Sequence, residues 1–182
     1  MAQNSVETFS ISRSKRGKLS SSEKHQLFEI MRLAYAETEH EIWGHDYRRM
    51  EFDEYDGIIE NEFILYAQFN NEIVGSVQFK ELENNNLSFS LLSTTPSHRG
   101  IGIASKLIEH VENLSIEKGS KFIQLEILRA RDFDIPSKLV LKTWYEKKGY
   151  EFVKTKDFAL VRPEKKAELL VPCQFDYYRK YL

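Results

Sequence analysis

One stretch of this sequence constrains the fold more than any other, because its hydrophobic period changes across a turn that contains two glycines. Over residues 87–95, apolar side chains alternate with serines, which predicts a β-strand whose apolar face holds Leu87, Phe89 and Leu91. After the turn, apolar residues recur at helical spacing as far as Gly119, a natural stop. The chain therefore contains a strand–turn–helix unit in which the turn adjoins a helix N-terminus.

The turn at residues 99–104 has the composition of an anion-binding site. Gly100 and Gly102 let the backbone approach a ligand closely, and the following helix directs unpaired N–H groups and the positive end of its dipole at the turn. Arg99 adds a cation at the mouth. This pattern predicts a cradle for the pyrophosphate of a nucleotide-tailed cofactor, although a plain strand-to-helix bend would also explain both glycines.

Two common phosphate-binding motifs fit the turn poorly. A P-loop ends in Gly-Lys-Ser/Thr, whereas Ile103 and Ala104 follow Gly102 here. A dinucleotide-binding turn would need a third glycine where Ser105 stands and a second strand–helix–strand unit, although Glu126 on the next strand could accept a ribose hydroxyl. A dinucleotide-dependent oxidoreductase is therefore a remote alternative.

The strand before the turn carries a break in its alternation. Leu92 follows Leu91 directly, so the apolar phase slips by one residue. Such a slip is typical of a β-bulge, which turns a strand aside and is often found beside a functional site. An ordinary apolar pair at the end of a strand would give the same pattern.

The rest of the chain predicts a single α/β domain over residues 1–182, in which residues 1–7 are flexible. The serines at 20–22 offer an N-cap for a first helix, and a weaker helix is expected over residues 47–60. Residues 129–136 form a predicted charged loop, followed by a helix. Further strands are predicted over residues 8–13, 63–69, 73–82, 122–128, 150–158 and 173–181, and the last helix over residues 137–148.

Composition excludes several classes of protein. The 182 residues include 26 basic and 28 acidic side chains, so the chain lacks the basic surplus of a nucleic-acid-binding protein. No apolar run approaches the roughly 18 residues of a membrane-spanning helix. Cys173 is the only cysteine, which excludes an intramolecular disulfide and a cysteine-based zinc site and fits a reducing compartment. We therefore expect a cytoplasmic protein without a membrane, nucleic-acid or metal partner.

The bulged strand and the turn together resemble a known family. Residues 91–108 look like the core motif of the GNAT superfamily of acetyl-CoA-dependent N-acetyltransferases. The family pattern is Arg/Gln-x-x-Gly-x-Gly/Ala, and Arg99, Gly102 and Ala104 meet it here.

Two further motifs strengthen this resemblance. Residues 144–150, Trp-Tyr-Glu-Lys-Lys-Gly-Tyr, are similar to the family's Tyr-Glu-Lys-x-Gly-Phe ending. Residues 125–127, Leu-Glu-Ile, resemble its Leu-Glu-Val strand. The three motifs occur in the family's order, and the resemblance covers residues 63–158.

The resemblance implies a fold and a cosubstrate. The fold is an α/β (α+β) domain with a mixed, mostly antiparallel sheet of about six or seven strands, flanked by helices and splayed between strands four and five. Acetyl-CoA would lie in the splay, with its pantetheine on the bulged strand and its pyrophosphate on the turn. The implied cofactor-binding residues are Leu92, Ser93, Thr94, Arg99, Gly100, Ile101, Gly102, Ile103, Ala104 and Ser105.

The resemblance also implies two catalytic residues. In the family an amine attacks the thioester directly, and Tyr145 matches the tyrosine that protonates the leaving thiolate. Its alternative role is aromatic packing under the sheet. Glu126 matches an acidic residue that serves as general base in some members, or it is a structural carboxylate. Both residues favour an enzyme over a non-catalytic module that binds or senses acyl-CoA.

The sequence departs from the family in places that affect ligands. Lys138 stands where members often carry a cofactor-binding asparagine, and the loop at 129–136 is longer than in the shortest versions. The acceptor amine, on a small molecule or a protein, would bind at the loop over residues 38–49. Carboxylates of this loop could hold a cationic amine, and its aromatic rings could pack against the stem of the acceptor. Alternatively this is a surface loop with one buried tryptophan, and the protein is a monomer or a homodimer. The loop residues concerned are His40, Glu41, Trp43, His45, Asp46, Tyr47 and Arg48.

Overall fold

The computed structural model describes residues 9–182, so the flexibility predicted for residues 1–7 lies outside the described residues. Within the described range the strands are β1 (Ser10–Arg13), β2 (Ile64–Phe69), β3 (Glu72–Glu81), β4 (Leu87–Thr94), β5 (Phe122–Ala130), β6 (Glu151–Asp157) and β7 (Cys173–Tyr181). They form one sheet in the order β1-β2-β3-β4-β5-β7-β6. Every neighbouring pair is antiparallel except β4 and β5, which run parallel. The predicted fold class is confirmed.

Helices cover both faces of this sheet. The α-helices are α1 (Ser21–Thr38), α2 (His40–Trp43), α3 (Phe52–Glu60), α4 (Ile103–Glu117), α5 (Pro136–Lys147) and α6 (Phe158–Val161). Apolar residues of α4 and α5 share one buried cluster with the sheet, and those of α1 and α3 form a second cluster on the other face. In the described part of the chain, no helix has both the length and the apolar character needed to cross a bilayer.

The N-terminus of α1 forms as the three serines predict. The Ser20 hydroxyl accepts a hydrogen bond from the backbone N–H of Glu23 at 3.3 Å, and the Glu23 carboxylate accepts one from the backbone N–H of Ser20 at 2.8 Å. This reciprocal capping box satisfies two donors that the helix would otherwise leave unpaired. It fixes the start of the helix whose far end borders the site described below.

A β-bulge interrupts the pairing of β3 with β4, as the phase slip predicts. Ser93 and Ser90 pair with β3 residues only two positions apart, so Leu91 and Leu92 together oppose one residue. Leu91 has φ of 53°, an unusual conformation for a leucine. The strand is therefore turned aside at this point.

The bulge also corrects one sequence prediction. Leu87 and Phe89 pack in the cluster with α4 and α5, and Leu92 packs against it, but Leu91 belongs to the cluster with α1 and α3. Leu91 was predicted on the same face as Leu87 and Phe89, which is wrong. Regular alternation would put the Leu91 side chain on the face of Leu87 and Phe89, but the extra residue of the bulge turns it to the opposite face of the sheet.

The parallel strands β4 and β5 pair over a short distance only. Their register joins Leu87 to Ile123 and Ser88 to Gln124, and no later pair forms in the described chain. Because the bulge turns β4 aside just beyond these pairs, the two strands separate toward their carboxyl ends. This confirms the predicted splay and leaves a cleft beside the N-terminus of α4.

Two element boundaries differ from the predictions in the acceptor region. The predicted helix at 47–60 is wrong in its first part, because α3 begins only at Phe52 and the preceding residues are irregular. The predicted irregular segment instead contains α2, which Gly44 ends at φ of 87°. The Trp43 indole donates a hydrogen bond to the Glu39 carboxylate at 3.0 Å and fixes this short turn.

The C-terminal elements also shift slightly. The strand β5 continues to Ala130, so the predicted loop starts later than residue 129, because β7 pairs with β5 along its whole length. Phe158 lies in α6 rather than at the end of a strand, because the Asp157 side chain accepts a hydrogen bond from the Ala159 N–H at 2.8 Å and caps this turn.

Candidate active site

A cleft of about 660 Å³ opens between the end of β4, the N-terminus of α4, the C-terminal half of α1 and one face of α5. All the cofactor-binding residues expected from the sequence line it except Ile101, whose side chain is 51% exposed. The residues that line it are Leu92, Ser93, Thr94, Arg99, Gly100, Gly102, Ile103, Ala104 and Ser105. The structure thus brings the bulged strand and the glycine turn together on one cavity.

The glycine turn presents a row of free donors to this cleft. The first hydrogen bond of α4 runs from the Lys106 N–H to the Gly102 carbonyl at 3.0 Å, and the backbone N–H groups of residues 100–105 donate to no acceptor in the described chain. Gly100 and Gly102 adopt φ of 83° and 92°, a conformation that disfavours side chains. Unpaired N–H groups at a helix N-terminus form an anion site.

Charged side chains flank this row of donors. The Arg99 guanidinium donates two hydrogen bonds to the Glu37 carboxylate at the end of α1, one of them at 3.1 Å. This contact holds the pKa of Glu37 below its usual range. The Lys148 ammonium donates to the Ser105 hydroxyl at 2.9 Å and lies over the Trp144 ring. Lys148 was not predicted, because nothing in its sequence context distinguishes it from a surface lysine.

His98 lies beside the turn and also lines the cleft. Its Nδ1 is 2.9 Å from the Thr95 hydroxyl and 3.0 Å from the Ser97 hydroxyl, so local partners occupy that nitrogen. Among residues 9–182, no group of three or more histidine, cysteine, aspartate or glutamate side chains lies close enough to hold a metal ion.

Lys138 belongs to a buried ion cluster at the far end of the cleft. Its ammonium donates to the Glu39 carboxylate at 2.7 Å, and its side chain is only 8% exposed. Glu39 also accepts from Arg49 at 2.7 Å and from the Trp43 indole at 3.0 Å. Burial raises the pKa of Glu39, but the two cations outweigh it and hold that pKa below its usual range. One carboxylate between two cations leaves the cluster with a net positive charge.

Tyr145 is largely buried beside Trp144, which lines the cleft. Its ring is 5% exposed and packs against Phe89, Trp144 and Tyr150, with centroid separations of 5.9, 5.0 and 5.7 Å. Its hydroxyl makes no hydrogen bond to the described chain, and burial raises its pKa above the usual value for a phenol. The side chain has the packing role considered above and also keeps a protonated hydroxyl that no protein group uses.

Glu126 lies where β4 and β5 separate. It follows Gln124, the last β5 residue that pairs with β4, by two positions, and the Gln124 amide donates to its carboxylate at 3.4 Å. The side chain is exposed and lines neither the cleft nor the cavity described next. Across the strand pair, Tyr177 faces it, and burial together with the Glu126 charge raises the pKa of that phenol.

A second cavity, of about 120 Å³, lies on the other side of the bulge. Leu91 lines this second cavity, whereas Leu92 lines the cleft. Of the seven acceptor-loop residues named above, two reach it, Trp43 and Tyr47, whose rings stack 4.3 Å apart. The remaining wall is formed by Arg49, Met50, Glu54, Ile58, Gln78, Lys80, Ser90, Leu128, Phe158, Arg162, Lys165 and Phe175.

The other predicted loop residues do not line this cavity. The rings of His40 and His45 stack on each other 4.9 Å apart, and the Arg48 side chain is 70% exposed. Glu41 and Asp46, which were expected to hold a cationic amine, are absent from the wall. Three of the wall's cations, Lys80, Arg162 and Lys165, were missed because they come from distant segments of the chain, and Arg49, at the end of the loop itself, was not predicted either.

Comparisons with known proteins agree with this geometry. The model of the acetyltransferase (GNAT) family matches residues 25–134. An aminoglycoside 6'-acetyltransferase type Ii has a similar structure, with a TM-score of 0.64 and 20% identity over 94% of this chain and 96% of that one. A ribosomal-protein-alanine N-acetyltransferase from Brucella melitensis gives a TM-score of 0.66 and 14% identity over 95% and 99%.

A third similar structure contains a ligand. A protein from Bacillus anthracis, described as a streptothricin acetyltransferase, was solved in complex with acetyl coenzyme A. It gives a TM-score of 0.52 and 19% identity over 65% of this chain, which spans 61% of that protein. At these identities the three likenesses establish a shared fold.

Proposed function

This chain belongs to the acetyltransferase (GNAT) family, and from that premise we propose that it transfers the acetyl group of acetyl-CoA directly to a primary amine. The observation that carries the proposal is the pair of cavities on either side of one bulge. A cofactor in the cleft and an amine in the second cavity would meet at Leu91 and Leu92. Holding two reactants together in this way supplies much of the rate enhancement in a group transfer.

The cleft offers matching groups along the length of acetyl-CoA. The free N–H groups of residues 100–105 would bind the pyrophosphate, and Arg99 and Lys148 would add positive charge. The backbone of β4 from Leu92 to Thr94 would bind the pantetheine amides. When bound, acetyl-CoA supplies a reactive thioester at the point where β4 and β5 separate.

We assign proton transfer to Glu126 and Tyr145. As the new C–N bond forms and the C–S bond breaks, the amine loses a proton and the departing sulfur gains one. Glu126 is exposed at the fork of the sheet and would take the amine proton through a water molecule. Tyr145 stays protonated because it is buried, and its free hydroxyl would donate to the sulfur.

The test is release of free CoA from acetyl-CoA in the presence of a panel of primary amines. We expect amine-dependent release in the wild type and at least a tenfold lower kcat in Glu126→Gln. The reason for the decrease is that neutral glutamine cannot accept the proton. Binding of acetyl-CoA without release from any amine would contradict transfer and favour a module that senses acyl-CoA.

A further inference from the structure

We propose that the second cavity recognises an anionic group on the acceptor, so that the acceptor is a small amine that also carries a negative charge, such as a carboxylate or a phosphate. This inference rests on the proposed acetyl transfer, because it assigns the second cavity to the acceptor. The contacts that support it are the charges of the wall, their partners and the surrounding aromatic rings.

Cations outnumber carboxylates on the wall of the cavity. Four basic residues line it, and Glu54 is its one acidic residue. Arg162 is neutralised by Glu164, whose carboxylate lies 2.8 Å away. Arg49 is only half neutralised, because its partner Glu39 is shared with a second cation.

The other two basic residues of the wall, Lys80 and Lys165, have no acidic partner. The Lys165 ammonium is half-buried and donates to the Tyr47 hydroxyl at 3.2 Å and to the Arg49 carbonyl at 3.1 Å, both of which are uncharged. Within residues 9–182, neither lysine lies within 4.0 Å of a carboxylate. Lys80 is exposed, whereas the Lys165 ammonium is partly desolvated, and such an ammonium without a directly bonded carboxylate favours an anionic ligand.

Tyr47 connects Lys165 to an acidic side chain, because its hydroxyl accepts from Lys165 and is hydrogen-bonded to the Glu168 carboxylate. Burial, together with that carboxylate, raises the pKa of Tyr47 to about 12, so its hydroxyl remains protonated at neutral pH. An ammonium has three N–H donors, and Lys165 uses two of them on Tyr47 and Arg49, which leaves one for a carboxylate or phosphate oxygen of the acceptor.

The remainder of the wall is aromatic and the cavity is small. Trp43 packs edge-on against Phe158 at 5.5 Å, and Phe158 stacks on Phe175 at 5.4 Å. A volume of about 120 Å³ suits a compact ligand such as an amino acid or a short amine. The cavity therefore combines cations with an apolar surface, which suits an acceptor that has both an anionic and an apolar part.

The same positive potential would assist the chemistry. Nearby cations lower the pKa of an acceptor ammonium, so a larger fraction of the amine is neutral and nucleophilic. A polycationic acceptor would be repelled by the same charges. The wall therefore selects against acceptors with several amino groups and favours one amine accompanied by an anion.

The experiment compares amines that differ only in the anionic group. We would measure kcat/KM by CoA release for alanine against ethylamine, phenylalanine against phenethylamine, and phosphoethanolamine against ethanolamine, with spermidine as a polycation. We expect at least a tenfold preference for the anionic member of at least one pair. The carboxylate and phosphate pairs distinguish the two kinds of anion.

Variants of the two wall lysines test whether the preference for anionic acceptors comes from the wall of the second cavity. Lys165→Met and Lys80→Met should each lower kcat/KM for the anionic acceptor about tenfold or more, in line with loss of a charge-assisted contact, and lower that of the neutral amine by a clearly smaller factor. Lys156→Met is the control, because this exposed lysine of β6 lines neither cavity. An equal effect in the control would contradict the assignment.

The outcomes separate this inference from the proposed function. Release that is faster with neutral amines or spermidine than with their anionic counterparts would overturn the inference and leave acetyl transfer intact. If no amine supports release, acetyl transfer fails, and calorimetry then decides the inference. N-acetylphenylalanine should bind the wild type at least tenfold more tightly than N-acetylphenethylamine and should lose this advantage in Lys165→Met, and equal affinities would overturn it.

Discussion

Replacing Tyr145 by phenylalanine should remove catalysis while leaving the fold unchanged. The substitution deletes one hydroxyl and keeps the ring that packs against Phe89, Trp144 and Tyr150. Since that hydroxyl makes no hydrogen bond to the described chain, its loss avoids the cost of about 0.5–1.5 kcal/mol that a broken hydrogen bond carries. We therefore expect the free energy of unfolding to change by less than about 0.5 kcal/mol.

The catalytic effect should be much larger than the structural one. Proton donation by a positioned side chain contributes about 10²–10⁴-fold to a rate, so kcat should fall by at least tenfold in Tyr145→Phe. The affinity for acetyl-CoA, measured by calorimetry, should stay within about twofold, because the phenylalanine keeps the ring that packs against Trp144 of the cleft wall. Burial raises the pKa of Tyr145, so the wild-type kcat should not decline from loss of its proton at any pH up to about 10.

Tyr150 supplies a matched control in the same aromatic cluster. Its hydroxyl donates to the Glu112 carboxylate at 2.8 Å, so Tyr150→Phe breaks a charge-assisted hydrogen bond. Such a bond contributes about 1.5–3 kcal/mol, which should lower Tm by roughly 3–12 °C in a chain of this size. Its kcat should equal that of the wild type at a temperature where both are folded.

The two variants should thus have opposite profiles in thermal unfolding and steady-state kinetics. Tyr145→Phe should be stable and inactive, and Tyr150→Phe should be less stable and active. A kcat within twofold of the wild type in Tyr145→Phe would refute its role as proton donor and leave it a packing residue.

Three further predictions concern the cleft and the buried ion cluster. Gly102→Ala should weaken CoA binding at least tenfold by calorimetry. Gly119, at the other end of α4, also has positive φ and open space around it, so Gly119→Ala controls for backbone strain and should leave the affinity for CoA unchanged. Glu37→Gln should raise affinity for CoA about two- to fivefold at low salt by freeing Arg99 from its partner, and equal affinities would show that Arg99 does not contact the phosphates. Glu39→Gln should lower the free energy of unfolding at pH 7 by about 3–5 kcal/mol in denaturant unfolding, because it leaves the two cations of the buried cluster without their carboxylate. Since the pKa of Glu39 is depressed in the folded state, the difference in stability between wild type and variant should shrink as the pH falls below about 4. A difference that stays constant with pH would contradict a charged Glu39.

The parts of the site that could be predicted from the sequence are those that depend on neighbouring residues. The glycine turn, the helix cap and the bulge each arise within a few residues, so hydrophobic phase and turn chemistry are enough to locate them. The buried ion cluster joins Glu39 to Lys138 across 99 residues, and the second cavity joins Arg49 to Lys165 across 116. No local pattern encodes such contacts, which explains why carboxylates were expected at the acceptor and cations line the cavity there.

The bulge is encoded locally but borders both cavities. The balance of free energies at Leu91 explains why a leucine can occupy its strained position. A non-glycine residue at positive φ costs about 1–2 kcal/mol, and Leu91 bears that cost at φ of 53°. Its side chain is 2% exposed, and burial of a leucine contributes about 1.5–3 kcal/mol, which offsets the strain. A glycine would relieve the strain and lose the burial, so leucine is at least as stable here. In a regular strand, the side chain of Leu91 would lie on the cleft side of β4. By moving it to the opposite face, the bulge places Leu91 beside Ser90 on the second cavity and Leu92 on the cleft, so that consecutive residues of β4 border the two cavities. Ligands in the two cavities would therefore approach each other at the bulge, as the proposed direct transfer requires.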